Sequence, residues 1–141
     1  MQFTSKEFYE ALAEKMKTDE QYKSMAQGLT LRLCYLIKDC PGDIDRFVDW
    51  RIEEGQPISF NVEEQSVPSD FREQDFDPRT YFMRVSGDYQ TFVKLNTNEM
   101  SPIEAISSRA YKIDGPMTQI MGMMGTFTIW TNLMSTIPCE Y

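Results

Sequence analysis

The chain has 141 residues, a length that suits one domain (residues 1–141), and 41% of them are hydrophobic while 26% are charged. With 14 basic against 22 acidic residues and a net charge of −8, it lacks the basic surface that nucleic acids and anionic membranes require. The three cysteines form no C-x-x-C pair, which indicates reduced thiols in a cytoplasmic protein.

Residues 1–28 carry two helical patterns. Thr4 and Glu7 match a capping box, and Phe3 with Phe8 matches a hydrophobic staple. Thr18 is expected to open a second, short helix. The first residues are too polar for a signal peptide, and no apolar run approaches the roughly 18 residues of a membrane span, so we expect no integral membrane segment.

Residues 29–85 are predicted to form four strands. Apolar and polar side chains alternate in residues 29–37, 47–52, 58–62 and 81–85, as in half-buried strands. Ile58, Phe60 and Val62 are expected to face inward in the third strand, and Tyr81, Met83 and Val85 to share a face in the fourth. Residues 63–79, which are rich in charge and interrupted by proline, are expected to be irregular.

Residues 86–141 return to helical patterns. Ser86 or Asp88 could cap a short helix, and Ser101 followed by Pro102 marks the start of another. A short fifth strand precedes Gly115, and a methionine-rich segment follows as a last helix. Because strands run consecutively and helices are segregated from them, the sequence predicts an α+β fold.

The sequence argues against most catalytic and metal chemistry. It contains no histidine and none of the usual nucleotide-binding or nucleophile motifs, which removes His-dependent nucleophile systems and His-ligated metals, so we expect no cofactor and no metal. Asp43, Asp45 and Asp49 are interpreted as a solvated turn, since they lack the glycine and distal glutamate of a calcium loop. Asp114 near Tyr111 is the one suggestion of an acid–base pair, as in small isomerases.

The segment GPMTQIMGMMGTFTIW, residues 115–130, contains four methionines and three glycines and no charge. Its helical spacing is typical of a core helix. Methionine packs without specifying one shape, and glycine is unfavourable inside a helix by about 1 kcal/mol relative to alanine. The segment could therefore be a core helix, the wall of a pocket or tunnel, or a dimer or partner face.

Three stretches resemble the sterol carrier protein family of small lipid-transfer domains, and in particular its stand-alone prokaryotic-type members. They are TDEQYKSMAQGLTLRLCYLI, YFMRVSGDYQTFVKLNTNEMSPIEAISSRAYKIDG and PMTQIMGMM. Two features depart from the family pattern. Residues 63–79 are longer and more acidic than the usual hairpin, and the C-terminal segment extends further and ends without a peroxisomal Ser-Lys-Leu signal.

The resemblance implies a five-stranded, mostly antiparallel sheet covered by helices, with a hydrophobic tunnel between the two layers. It implies a non-enzymatic carrier that binds a sterol or fatty acyl chain. The residues expected to line the tunnel lie on the short helices, the last strand and the methionine-rich helix: Phe92, Ile103, Ile106, Tyr111, Ile113, Met117, Ile120, Met121, Met124, Phe127 and Trp130. The alternatives are a ligand-free dimerisation module that uses the same surface and, less favoured, an isomerase-type enzyme.

Overall fold

A computed structural model describes residues 1–141. The helices are α1 (Lys6–Thr18), α2 (Glu20–Met25), α3 (Tyr89–Asn96), α4 (Pro102–Ser107), α5 (Met117–Gly122) and α6 (Met124–Ser135), with a short 3-10 turn at Asp70–Glu73. The strands are β1 (Leu31–Cys40), β2 (Ile44–Glu53), β3 (Gln56–Ser66), β4 (Met83–Asp88) and β5 (Tyr111–Asp114).

The five strands form one sheet in the order β3-β2-β1-β4-β5. β1 pairs with β4 in parallel, with Leu33 opposite Met83, and the other three neighbouring pairs are antiparallel. The predicted α+β fold with a mostly antiparallel five-stranded sheet is therefore confirmed.

The helices cover one face of the sheet, and the core lies between the two layers. Leu33, Ile37, Val48 and Trp50 project from β1 and β2 into this core, where they are completely buried. Helix α1 is amphipathic and contributes buried residues at helical spacing, namely Phe8, Tyr9, Leu12, Ala13 and Met16.

Most predicted elements exist, but several boundaries differ. Ser5 caps α1 through its side chain, since Thr4 has a left-handed backbone with φ of 66°, and Asp19 caps α2 in the same way. Ile58 is 47% exposed, because a register shift between β2 and β3 places Pro57 in the buried position. The methionine-rich segment is two helices, interrupted at Met123.

The spacing of Tyr81 predicted that it shares a face with Met83 and Val85 of β4, and this prediction is wrong. Tyr81 precedes the strand and donates a hydrogen bond of 3.0 Å to Asp49 on the other face of the sheet. Arg32 pairs with the same carboxylate at 2.6 Å and lies over the Tyr81 ring. The face of the sheet opposite the helices is thus polar where no other segment covers it.

The three cysteines of the chain are free thiols.

Residues 67–82 connect β3 at one edge of the sheet to β4 beyond β1, so they must cross the sheet. They cross on the face opposite the helices, where buried Phe71 packs on Phe47 with ring centroids 5.5 Å apart. The acidic segment 63–79 is therefore the end of β3 followed by this crossing, which lies on the face opposite the helical layer.

Asp45 of β2 anchors the crossing segment. Its side chain is completely buried and accepts hydrogen bonds from the Arg72 guanidinium at 2.7 and 2.9 Å, from the Ser69 hydroxyl at 2.6 Å and from the Asp39 N–H at 2.9 Å. Burial opposes ionisation of the carboxyl, but these hydrogen bonds outweigh it and hold the pKa of Asp45 well below its ordinary value. The residue is thus a structural anion and not a solvated turn residue.

Replacing this carboxylate should destabilise the fold. We expect Asp45→Asn to lower the free energy of unfolding at pH 7 by about 2–4 kcal/mol, because it leaves Arg72 without its buried partner. Since the folded-state pKa is lowered, the contribution is present above the unfolded pKa near 4 and is lost as pH falls below it. Urea unfolding at pH 7 and pH 3 measures both effects.

Asp43→Asn is the matched control, because Asp43 is exposed in the neighbouring turn and its left-handed φ of 56° suits asparagine. It should change stability by less than about 0.5 kcal/mol. Equal losses in the two variants would contradict the anchoring role of Asp45.

Candidate apolar binding site

An apolar cavity of about 90 Å³ lies between the helical layer and the β1, β4 and β5 side of the sheet. It is lined by 18 residues, of which 15 are hydrophobic, and none of the 18 carries a formal charge. Its walls come from the strands below and from α3, α4, α5 and α6 above. Such a lining excludes charged groups and favours apolar ones.

Eight of the eleven residues singled out in the sequence line this cavity. They are Phe92, Ile106, Tyr111, Ile113, Ile120, Met124, Phe127 and Trp130. The structure brings them together from five different elements. That they contact a ligand remains a prediction.

The other three predicted residues lie outside the cavity. Ile103 is 63% exposed because it occupies the outer side of α4, whereas Ala105 and Ile106 turn inward. Met117 and Met121 are one turn apart on the solvent side of α5 and are 40% and 50% exposed, while Ile120 faces in.

Sequence reasoning did not single out ten lining residues: Phe3, Tyr9, Tyr35, Met83, Val85, Leu95, Asn96, Pro102, Thr131 and Met134. The sequence contained a signal that could have identified Tyr35, Met83 and Val85, since strand alternation assigns them to the inward face of the sheet. Phe3 and Tyr9 had none, because only the tertiary packing of α1 brings them to the cavity.

Aromatic rings form the rigid part of the cavity lining. Phe92 stacks on Tyr111 with ring centroids 6.1 Å apart, and Tyr35 meets both Phe92 and Trp130 edge-on at 6.2 Å. Gly87 of β4 makes this arrangement possible. A β-carbon at that position would lie 2.8 Å from the Tyr111 β-carbon and 3.3 Å from Phe92.

No protein-family model matches the sequence, and no curated protein sequence matches it. Solved structures do match. The conserved hypothetical protein TT1886 from Thermus thermophilus, a suggested sterol carrier protein, aligns with a TM-score of 0.76 at 12% identity, over 99% of this chain and 92% of that one.

A crystal structure of sterol carrier protein 2 aligns with a TM-score of 0.75 at 11% identity, over 95% of this chain and 98% of that one. Sterol carrier protein-2 like-3 from Aedes aegypti aligns with a TM-score of 0.55 at 15% identity, over 87% and 95% of the two chains. The chain has the sterol carrier protein fold. Among its helices, none combines the length and the apolarity that crossing a membrane would require.

Within this sterol carrier fold, the methionine-rich segment lies over the cavity as α5 and α6. The two glycines of the segment differ in their surroundings. A β-carbon on Gly122 would meet no atom within 4 Å, whereas one on Gly125 would meet the terminal methyl of Met25 at 2.9 Å. Close packing therefore does not explain Gly122, which is the last residue of α5, next to the interruption at Met123.

The acid–base pair considered for an isomerase is not assembled. Tyr111 lines the cavity, but Asp114 belongs to the opposite face of β5, where it forms an ion pair of 3.1 Å with Arg84. Residues three apart on a strand project to opposite faces, so the two side chains cannot act on one substrate from these positions.

Two glycine substitutions should have opposite effects on stability. Gly87→Ala is expected to lower the free energy of unfolding by about 1–3 kcal/mol, because the added methyl overpacks the Tyr111 wall. Gly122→Ala is expected to raise it by about 0.5–1 kcal/mol, because the site is open and alanine favours the helix. Chemical denaturation of both variants measures the difference, and a destabilised Gly122→Ala protein would show that Gly122 is packed.

Proposed function

We propose that this protein is a non-enzymatic lipid carrier that holds an apolar ligand, such as a fatty acyl chain or a sterol-like molecule, in the cavity beneath α6. The observation that carries the proposal is the lining itself, which is almost wholly hydrophobic and without charge. The sterol carrier fold supports it, since one structural neighbour is sterol carrier protein 2 and another is a suggested sterol carrier protein. The proposal includes a cytoplasmic location and requires neither metal nor cofactor.

The binding energy would come from burial of apolar surface. Each Å² of apolar surface removed from water is worth roughly 25 cal/mol, so an acyl segment that buries about 200 Å² would gain about 5 kcal/mol. Tight specificity is not expected from this term alone, because it depends on area and not on geometry.

A long ligand would have to widen the cavity. Its volume of about 90 Å³ is below the roughly 300–1,000 Å³ of typical ligand pockets. The lining offers two means of widening. Met124 and Met134 on α6 are flexible thioethers, and the interruption at Met123 lets α6 move separately from α5.

Filling the cavity should weaken ligand binding. We expect Ile106→Trp to weaken binding of the neutral apolar dye Nile red at least tenfold, because the indole would occupy space that the ligand needs. Ile103→Trp is the matched control, since the same substitution three residues earlier on α4 projects into solvent. Fluorescence titration of the two variants, with circular dichroism to check folding, makes the comparison.

Equal binding by the two variants would show that the dye binds elsewhere and would contradict the proposal.

Native mass spectrometry of the purified protein distinguishes the carrier hypothesis from the dimerisation-module hypothesis. Co-purified lipid on a monomer supports the carrier, whereas a dimer that retains no fatty acid or other lipid supports the module. The homodimer itself remains a prediction.

A further inference from the structure

Three methionine side chains of the helical layer are exposed to solvent. Met117 and Met121 of α5 are 40% and 50% exposed, and they lie one turn apart on the same side of the helix, while Ile120 is buried on the other side. Met25 at the end of α2 is 52% exposed, and its terminal methyl lies next to Gly125 at the start of α6. Met25, Met117 and Met121 are called the methionine face below.

The segment that carries most of this face has no charged residue. Asp114 precedes it and Glu140 follows it, so residues 115–139 are uncharged throughout. The other exposed residues of this stretch are glycines, prolines and uncharged polar side chains. The charges that give the chain its net −8 therefore lie elsewhere in the sequence. A surface that covers α5 and α6 would not have to remove water from any charge of this segment.

The methionine face lies on the outer side of the cavity wall. Ile120 of α5 lines the cavity, whereas Met117 and Met121 on the same helix point to solvent. One helix is roughly 10 Å in diameter. A partner that docked on this face would therefore lie about one helix diameter from the cavity.

A protein partner matches this face poorly. A second copy of the chain also has a net charge of −8, so self-association would bring like charges together. Specific protein interfaces usually depend on buried tryptophan, tyrosine or arginine anchors, and none of the three residues of the methionine face is of these types. Methionine side chains are flexible, and they suit a partner that has no fixed shape.

We propose that the methionine face docks the protein on a lipid surface without net charge, such as a phosphatidylcholine bilayer. The three thioethers enter the boundary between head groups and acyl chains, as the apolar side of an interfacial helix does. The acidic remainder of the molecule stays in water, and an anionic bilayer would repel it. The proposal adds a docking site to the proposed carrier and does not depend on it, because docking requires no ligand in the cavity.

Sedimentation with vesicles tests the choice of partner. Wild-type protein is mixed with vesicles of pure phosphatidylcholine and with vesicles that contain about 30% anionic phosphatidylglycerol, each at low and at high salt. At low salt we expect binding to the pure phosphatidylcholine vesicles to be about tenfold tighter. The difference should shrink at high salt, because salt screens the repulsion between the acidic protein and the anionic bilayer. Equal or tighter binding to the anionic vesicles at low salt would contradict the proposal.

Two variants assign the docking to its residues. Met117→Gln combined with Met121→Gln should weaken binding to phosphatidylcholine vesicles about tenfold, because it removes apolar surface from the contact. Glutamine and methionine have similar helix propensities, and the net charge does not change. Ile58→Gln is the matched control. Ile58 is 47% exposed on β3, at the edge of the sheet, and its replacement should leave vesicle binding unchanged.

The outcomes separate docking from ligand carriage. If wild-type protein does not sediment with phosphatidylcholine vesicles, or if Ile58→Gln weakens binding as much as the double variant, the docking site is wrong. Size-exclusion chromatography adds a third check, since a dimer that the double variant converts to a monomer would show that a second copy covers this face. Nile red titration without vesicles measures the carrier function independently, so a protein that binds the dye but no vesicles loses only the docking proposal.

Discussion

Trp50 joins the sheet to the helical layer at the point where β2 meets α1 and α6. It is completely buried, stacks on Phe60 with ring centroids 4.9 Å apart, and meets Tyr9 and Trp130 edge-on at 5.8 and 5.6 Å. Rings of this size are rigid, so they fix the distance between the two layers. The inward side chains of β4, Met83 and Val85, are smaller, and the free volume lies over them. Two partners of Trp50, Tyr9 and Trp130, themselves line the cavity, so its boundary depends on this aromatic contact.

The two faces of the sheet have separate roles. The helical face is apolar and contains the cavity. The opposite face is covered by the crossing segment, which Asp45 and Arg72 hold in place, and by ion pairs such as that of Arg84 with Asp114. Since the crossing lies on this second face, residues 67–82 are not placed to cover the cavity. The helices α3, α4, α5 and α6 line the side of the cavity that faces away from the sheet.

The fold was largely predictable from the sequence, because periodicity and caps are local signals. Strand alternation located β1, β2 and β4, and Ser101 with Pro102 located α4. The pairing of β1 with β4 depends on contacts distant in sequence, and no local pattern contains it. The same limit applies to the cavity. Eight lining positions followed from the resemblance, but Tyr9 reaches the cavity only through the packing of α1, and Met121 was misplaced because an interrupted helix does not continue the phase of its stripe.

The two tryptophans of the chain lie close together, and one of them borders the free volume. Indole emission responds to local polarity and to nearby quenchers. If a ligand replaced water beside Trp130, the intrinsic fluorescence emission spectrum of the protein would therefore shift, and no attached label would be needed to detect it. Intrinsic tryptophan fluorescence therefore reports whether the cavity contains water, is empty or holds a ligand.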